Sequence, residues 1–470
     1  MDRKIVFLIV LLLAAGSGWP LPAKAQEEEE KAPREVRYHI ADIRITGNRK
    51  TDKDVILREM KTHVGDTVTL DMLQYDLRRI ESLGLFSRVQ MGAEQSEKGM
   101  VLVIDVTEQL YVIPWPIIYF NDRDYRLEKL SFGAALIHMN FRGKAENVQV
   151  AGWLGYNPGL YWSYLNPWFG GERRIFMETK FFLYRFRNKS FDIIDEKVTE
   201  KRVGASVRLG KRFTLKNSAS IEFDYSQLRL DPAVPGQTLH PDGTDRVPTL
   251  RLRFIRNSRD LAWYPSRGIF LRAQYSKSGM FGDQFIDYSR LRFDFRTYFP
   301  LPRKMIFAMR FNVDLSQGIL PIYDRLFFGY DYRVRGYFPI RVEGENRGLF
   351  STELRFPLVP VRYISLENTR LGAYGKNLEF GISASFFFDA GTLWIQKRNR
   401  EFYDMTTPGG EPLHPLHSGV FGLQTRPETW YRGFGFGLLF HLPYVRILRV
   451  ELAYDAELNR ELIFDTGVAF

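Results

Sequence analysis

Arg335 is the residue whose setting first suggests chemistry. It lies in the run Tyr332-Arg333-Val334-Arg335-Gly336-Tyr337, inside a long connection from about Ser316 to Gly348. A guanidinium is planar, permanently charged and forked, so its chemistry is bidentate capture of carboxylates rather than bond-making. Two acids on the polar faces of the strands that follow are its candidate partners, Glu353 and Asp389. The connection is far longer than the few residues that usually join two strands, so it has enough chain to fold back and bring Arg335 to them. Bond-making chemistry finds little to work with. There is no cysteine and no Gly-x-Ser-x-Gly elbow. His414 and His417 flank Pro415 and Leu416 with no third ligand nearby, and read as loop rather than metal site. The run Gly433–Gly437 sits inside a strand pattern rather than ahead of a helix, so it is not a phosphate loop. It reads as a smooth wall against which a folded-in loop can press. No catalytic residue, metal or cofactor is assigned, and the chain reads as non-enzymatic.

The elements that would position these side chains alternate with period two. Met305, Phe307, Met309, Phe311, Val313 and Leu315 share one face, with Ala308, Arg310, Asn312 and Asp314 opposite. After the long connection, Phe350, Thr352, Leu354 and Phe356 alternate with Ser351, Glu353 and Arg355; further on, Leu378, Phe380, Ile382, Phe386 and Phe388 alternate with Glu379, Gly381, Ser383, Ser385 and Asp389. Leu448, Val450, Leu452 and Tyr454 alternate with Arg449, Glu451, Ala453 and Asp455. A soluble sandwich also alternates. These segments are longer than soluble strands, and their polar face carries too many arginines and acids for a core, while the other face is apolar and aromatic. Such strands suit a closed barrel with a lipid-facing outside and a charged, wet lumen, since in lipid every backbone group must be paired. Sixteen strands are expected, starting near Val112, Lys129, Ala145, Gly159, Arg173, Lys201, Asn217, Val247, Gly268, Phe285, Lys304, Leu349, Asn377, Tyr431, Arg446 and Glu461. The same parity turns Glu353 and Asp389 inward. Residues 359–376 form a long link on the short-turn side, where a short helix fits.

Ahead of the barrel, residues 1–25 read as a signal peptide, with Arg3 and Lys4, the apolar run Ile5–Ala15 and a small-x-small site at Ala23-Lys24-Ala25. Residues 26–33 read as an acidic linker. Residues 34–110 give strand, helix, helix, strand, strand: a two-helix layer on a three-stranded sheet. Thr51 and Thr69 are the expected helix caps, and Leu70, Leu73, Leu77, Ile80 and Leu83 form the apolar stripe of the second helix. The net charge of +11 includes inward arginines such as Arg251, Arg253, Arg290, Arg292 and Arg310. For an exported barrel this excess points to anionic lipid head groups or acidic polypeptide segments, not nucleic acid. The fold class is therefore mainly β: a transmembrane antiparallel sixteen-stranded β-barrel over residues 111–470, preceded by one small α+β domain.

These motifs together resemble a known family. The order of the first domain, with Gly47-Asn48 and Leu83-Gly84-Leu85-Phe86, is similar to a POTRA domain. Asn257-Ser258-Arg259-Asp260 with Tyr264-Pro265-Ser266-Arg267-Gly268, Phe327-Phe328-Gly329 with Val334-Arg335-Gly336-Tyr337, the strand carrying Glu353 and Arg355, and Phe387-Phe388-Asp389-Ala390-Gly391 resemble motifs of the BamA/TamA superfamily of outer-membrane assembly proteins, the bacterial surface antigen family. Phe470 ends the chain as outer-membrane strands commonly end. The resemblance implies that the long loop enters the lumen, where Val334, Arg335, Gly336 and Tyr337 form a latch with Glu353 and Asp389. It implies a lateral seam between the first strand, Val112–Asn121, and the last, Glu461–Phe470, with Pro114, Pro116, Gly467 and Phe470 at it. Pro114 and Pro116 lack ladder donors and would weaken that seam. The implied function is insertion or export of unfolded outer-membrane or surface client proteins from a bacterial outer membrane, with the POTRA domain in the periplasm and periplasmic chaperones or lipoproteins as further partners. A diffusion pore and a two-partner-secretion-like transporter are the alternatives. The single POTRA unit departs from the main insertase of the family, which carries several.

Overall fold

A computed structural model describes residues 37–470 except 98, 122–125, 188–197, 232–237, 241, 281–285, 329–331, 338–341, 367, 370–371, 397–425 and 444. The signal peptide, the acidic linker, Gly329, His414 and His417 lie outside the described residues.

The first unit holds strands β1 (Arg37–Thr46), β2 (Thr67–Thr69), β3 (Phe86–Ser96) and β4 (Gly99–Glu108), with helices α1 (Lys53–Leu57) and α2 (Leu70–Glu81). Its sheet runs β2-β1-β4-β3, with β1 and β4 parallel. The expected three strands thus become four. The turn at Gly65 lets Gly65 N–H and Asp66 C=O bond both sides of Ile40, and this aligns Thr67–Thr69 with Arg37–His39. Ile40, Ile56, Ile80 and Ile104 are fully buried at the centre of the core. The α1 cap is Asp52, whose carboxylate accepts from Asp54 N–H, rather than Thr51. Thr51 is drawn away by Glu108, to which its hydroxyl donates at 2.8 Å. Thr69 caps α2, accepting from Met72 N–H. The carboxylate of Asp76, inside α2 and fully buried, ties that helix to the segment after α1 by accepting from Lys61 and Thr62 N–H at 2.8 and 3.0 Å.

The barrel strands are β5 (Val112–Phe120), β6 (Leu130–Phe141), β7 (Glu146–Gly155), β8 (Gly159–Asn166), β9 (Ile175–Phe186), β10 (Thr199–Arg212), β11 (Asn217–Asp231), β12 (Thr244–Asn257), β13 (Gly268–Ser278), β14 (Tyr288–Pro300) and β15 (Ile306–Gly318). After two short strands in the long loop, β16 (Leu326–Phe327) and β17 (Glu343–Gly344), come β18 (Asn346–Ile364), β19 (Leu378–Trp394), β20 (Tyr431–Leu442), β21 (Arg446–Tyr454) and β22 (Arg460–Thr466). Sixteen of them form one sheet from β22 round to β5, every neighbouring pair antiparallel. The parity holds on the strands that matter here. Phe386 and Phe436 point outward, 56% and 49% exposed, while Glu353, Asp389 and Glu451 are buried inside. The link after β18 is shortened by a strand running to Ile364, and the rest carries a short 3-10 turn at Gly372–Gly375.

The small unit sits against barrel turns at one end. Asp52 N–H donates to Gly143 C=O (2.9 Å) and Arg58 to Lys144 C=O (3.0 Å). Arg78 reaches Asp260 (3.2 Å), Arg212 reaches Glu59 (3.1 Å), Arg88 reaches Asn377 (3.3 Å) and Arg446 reaches Gln109 (3.2 Å). Arg58 also lies 5.0 Å over the Trp168 ring, and burial lowers its guanidinium to about 10. Asp260 organises its own turn as well, accepting from Ser266 and Arg267 N–H at 2.9 and 3.2 Å. The Arg259-Asp260 to Arg267-Gly268 motif is therefore a turn lock that doubles as a docking point.

Candidate functional site

The connection between β15 and β18 turns into the lumen. The pair β16–β17 gives it a neck, and Val334, fully buried, packs with Phe328, Tyr337 and Leu349. From there the chain delivers Arg335 to the inner wall. Its Nε and Nη2 donate to Asp389 at 2.7 and 2.9 Å, and its own backbone N–H donates to the same carboxylate at 3.1 Å. Nη1 donates to Glu451 at 2.8 Å and stands 3.6 Å from Glu353. The guanidinium plane also covers the Phe387 ring at 3.6 Å. One buried cation thus meets three acids from β18, β19 and β21. Such a pair is costly to desolvate and strong only because its donors are filled in good geometry.

Space matters as much as charge. Gly336 has φ +98°, a conformation side chains rarely adopt, and a Cβ on it would lie 2.7 Å from the Tyr454 carbonyl. Its N–H donates to Glu461 at 2.7 Å. A Cβ on Gly433 would overlap the Arg335 carbonyl, and one on Gly391 would stand 2.6 Å from Val334. Tyr337 closes the turn through its N–H to Val334 C=O (3.1 Å), and its hydroxyl accepts from Ala456 N–H (3.2 Å). Tyr332 lies under Arg347, whose guanidinium is 3.9 Å from the ring centre. Glu353 spends its closest contact on Arg355, at 2.9 Å. Glu451, Glu461 and Phe387 were not assigned to this cluster from sequence, although the alternation already turned Glu451 inward.

The luminal arginines are matched on the wall. Asp294 receives Arg296 and Arg310 at 2.8 and 2.9 Å; Asp314 receives Arg292 and Arg347, each at 2.6 Å; Glu222 receives Arg251 and Arg253 at 2.9 and 3.3 Å.

The second cluster lies at the sheet boundary. Among the described residues no ladder joins β5 to β22. The register shows which groups face that boundary. Met139 N–H donates to Tyr111 C=O and Asn121 N–H to Lys129 C=O, both at 2.9 Å, so odd-numbered residues of β5 bond β6 and even-numbered ones face the gap. Pro114 and Pro116 are even. They cost β6 nothing and remove two consecutive donors from the gap-facing edge, whose carbonyls remain. On β22, Asp455 N–H to Asn459 C=O (3.1 Å) and Gly467 N–H to Ile447 C=O (2.9 Å) turn Arg460, Leu462, Phe464 and Thr466 to the gap.

Phe470 is not at this boundary, and the last strand does not reach it. The strand stops at Thr466, because Gly467, at φ +78°, turns the chain off the ladder. Phe470 then lies 3% exposed against Tyr298 and Ala308 on β14 and β15, its carbonyl accepting from Arg355 at 3.3 Å.

Residues 140–470 match the Omp85 superfamily domain, and residues 38–109 match the surface antigen variable number repeat, a POTRA unit. Over 70 residues the chain is 40% identical to the outer membrane protein assembly factor BamA of Nitratidesulfovibrio vulgaris; that stretch is 15% of this chain and 9% of that protein. The crystal structure of BamA from Haemophilus ducreyi lacking POTRA domains 1–3 aligns with a TM-score of 0.52 at 17% identity, covering 92% of this chain and 84% of that one. CdiB from Escherichia coli aligns with a TM-score of 0.56 at 12% identity, covering 92% and 75%. At these identities the structural likeness is one of fold.

Proposed function

The chain belongs to the Omp85 superfamily, and from that premise we propose that it is an assembly or translocation factor of a bacterial outer membrane, with its POTRA unit in the periplasm. Its clients are unfolded outer-membrane or surface proteins that pair with the barrel edge between β5 and β22 and leave sideways into the bilayer. No catalytic step enters this reading.

The observation that carries it is the unpaired boundary together with the parity of Pro114 and Pro116. A barrel that only had to conduct would gain from a full ladder at every strand. Here two donors are missing on the gap side alone, so the edge offers carbonyls at Pro114 and Pro116 and complete amide groups again from Ile118. An incoming strand finds a partial template that holds it without closing the gap for good. The loop held by Arg335, with Glu353, Asp389 and Glu451, braces the wall on the β22 side of the gap, and Gly336 N–H reaches Glu461 on β22 itself, so this bank keeps one arrangement while the edge exchanges partners. Gly467 gives β22 a place to leave the ladder.

The test is depletion of the protein followed by quantitative proteomics of the outer membrane, paired with photo-crosslinking from positions on β5. The expected result is loss of a subset of barrels or surface proteins, and crosslinks from β5 to nascent strands. Unchanged levels of every such protein, with steady single-channel conductance of the purified chain, would favour a diffusion pore instead.

A further inference from the structure

The outer surface carries a row of cations on three neighbouring strands. Arg185 on β9, Lys201 on β10 and Arg229 on β11 are directly opposite one another in the ladder. All three are exposed and lie on the same outward face as Phe181, Leu183, Val203 and Tyr225. Like charges set directly across neighbouring strands repel, and this arrangement stacks three in succession. Among the described residues one acid is bonded to the row: Asp231, two positions beyond Arg229, meets Lys201 at 2.5 Å. Arg185 otherwise donates to the Thr199 hydroxyl at 3.3 Å. Among the described residues, three cations against one acid leave the row net positive.

Its height is informative. The stretch of β10 from Lys201 to Lys211 covers roughly 33 Å along the strand, or about 25 Å along the membrane normal at the usual tilt, the height of an apolar band. The row therefore stands at the membrane interface away from the POTRA unit, the outer-leaflet side in the reading above. At the opposite interface the cations are not stacked: Lys211 faces Ile175 and Ala219. Beside the row, Arg185 also lines a cleft of about 490 Å³ with Leu127, Glu128, Leu130, Phe132, Tyr156 and Arg187. In that cleft the Arg187 guanidinium lies 4.0 Å over Tyr156. Cations at the interface above an outward apolar surface, next to a cleft that sets Arg185, Arg187 and Glu128 beside Leu127, Leu130 and Phe132, match a lipid bearing phosphate on its head group and acyl chains below.

We propose that Arg185, Lys201 and Arg229 bind the phosphate of a phosphorylated lipid head group in the outer leaflet, with the adjoining cleft taking part of the same lipid. The site is distinct from the gap between β5 and β22 and does not depend on client handling.

The test uses the full chain in detergent, with native mass spectrometry against bisphosphorylated lipid A and against the same lipid with its phosphates removed. The wild-type protein should retain the phosphorylated form at least about tenfold better, since each basic residue near a charged lipid surface contributes about 1 kcal/mol. Arg185→Gln with Lys201→Gln and Arg229→Gln should abolish that preference, while Lys211→Gln with Arg256→Gln at the other interface should keep it. Equal retention of both lipids by the wild-type protein overturns the proposal, whatever the variants do. So does retention by a triple variant whose heat-modifiable gel mobility shows a folded barrel. Displacement of the lipid by millimolar inorganic phosphate would make this a free-phosphate site and would also overturn it.

Discussion

The carbonyl of Arg335 occupies the place where a side chain on Gly433 would have to begin. The luminal loop is therefore held by two independent conditions, an ion cluster and an absence of bulk on β20, and these separate experimentally.

Arg335→Ala takes from buried Asp389 its bidentate cation, while Glu353 keeps Arg355 and Glu451 keeps Arg449. Breaking a buried pair on one side costs about 3–5 kcal/mol. The expected outcome is protease cleavage within 319–345 in the detergent-solubilised protein and a lower unfolding temperature. Arg335→Lys keeps the charge but loses the bidentate contact and the face over Phe387, so it should rescue only in part. An uncleaved loop in the alanine variant would remove the cluster from the account.

Gly433→Ala tests space alone. All four charges stay, yet the loop should become as protease-sensitive as in the arginine variant, because β20 cannot shift without breaking its ladders to β19 and β21. A fully protected loop would mean that the carbonyl yields easily.

Pro114→Ala with Pro116→Ala restores two amides on the gap-facing edge of β5. Hydrogen exchange over 112–120 should show both new amides protected, through pairing with β22, together with reduced client assembly. Amides that exchange at solvent rates would show that missing donors do not keep the boundary open.

Glu81 supplies a pH test of POTRA docking. Burial, with Glu379 and Asp260 nearby, raises its carboxyl above the usual range, against Arg78 and Arg446; Tyr363 also faces it. A raised folded-state value means that its contribution is fully present below the ordinary carboxylate range and is lost as pH rises through the raised value. Glu81→Gln should therefore match the wild-type thermal stability in acid and exceed it at neutral pH. A neutral-pH difference of the opposite sign would place Glu81 as a net partner of Arg78 instead.

The barrel was legible because lipid outside and charge inside impose a period of two that no turn disturbs. The starting points of the strands, and the inward direction of Glu353 and Asp389, follow from that parity alone. Other features depended on geometry that alternation does not carry. Glu451 was visibly inward, but its distance from Arg335 depends on which strands become neighbours around the lumen. The turn at Gly467 is one backbone angle, invisible in a pattern that continues through Phe464. Strand β2 is three residues long and exists only because Gly65 folds it back on Ile40. The prolines of β5 were plain in the sequence; which side of the strand they disarm required the ladder register.

The POTRA unit is pinned on both banks of the gap. On one side Thr51, Asp52 and Arg58 hold the turn between β6 and β7, through Asn140, Gly143 and Lys144. On the other, Gln109 holds Arg446 at the start of β21. The two lips cannot part at this end without shearing a folded domain, so under the proposed function a widening of the boundary would pivot at the POTRA end and be broadest at the far side. On the proposed function the small domain is then a hinge pin, and a load applied to it by a client would become torque on the gap.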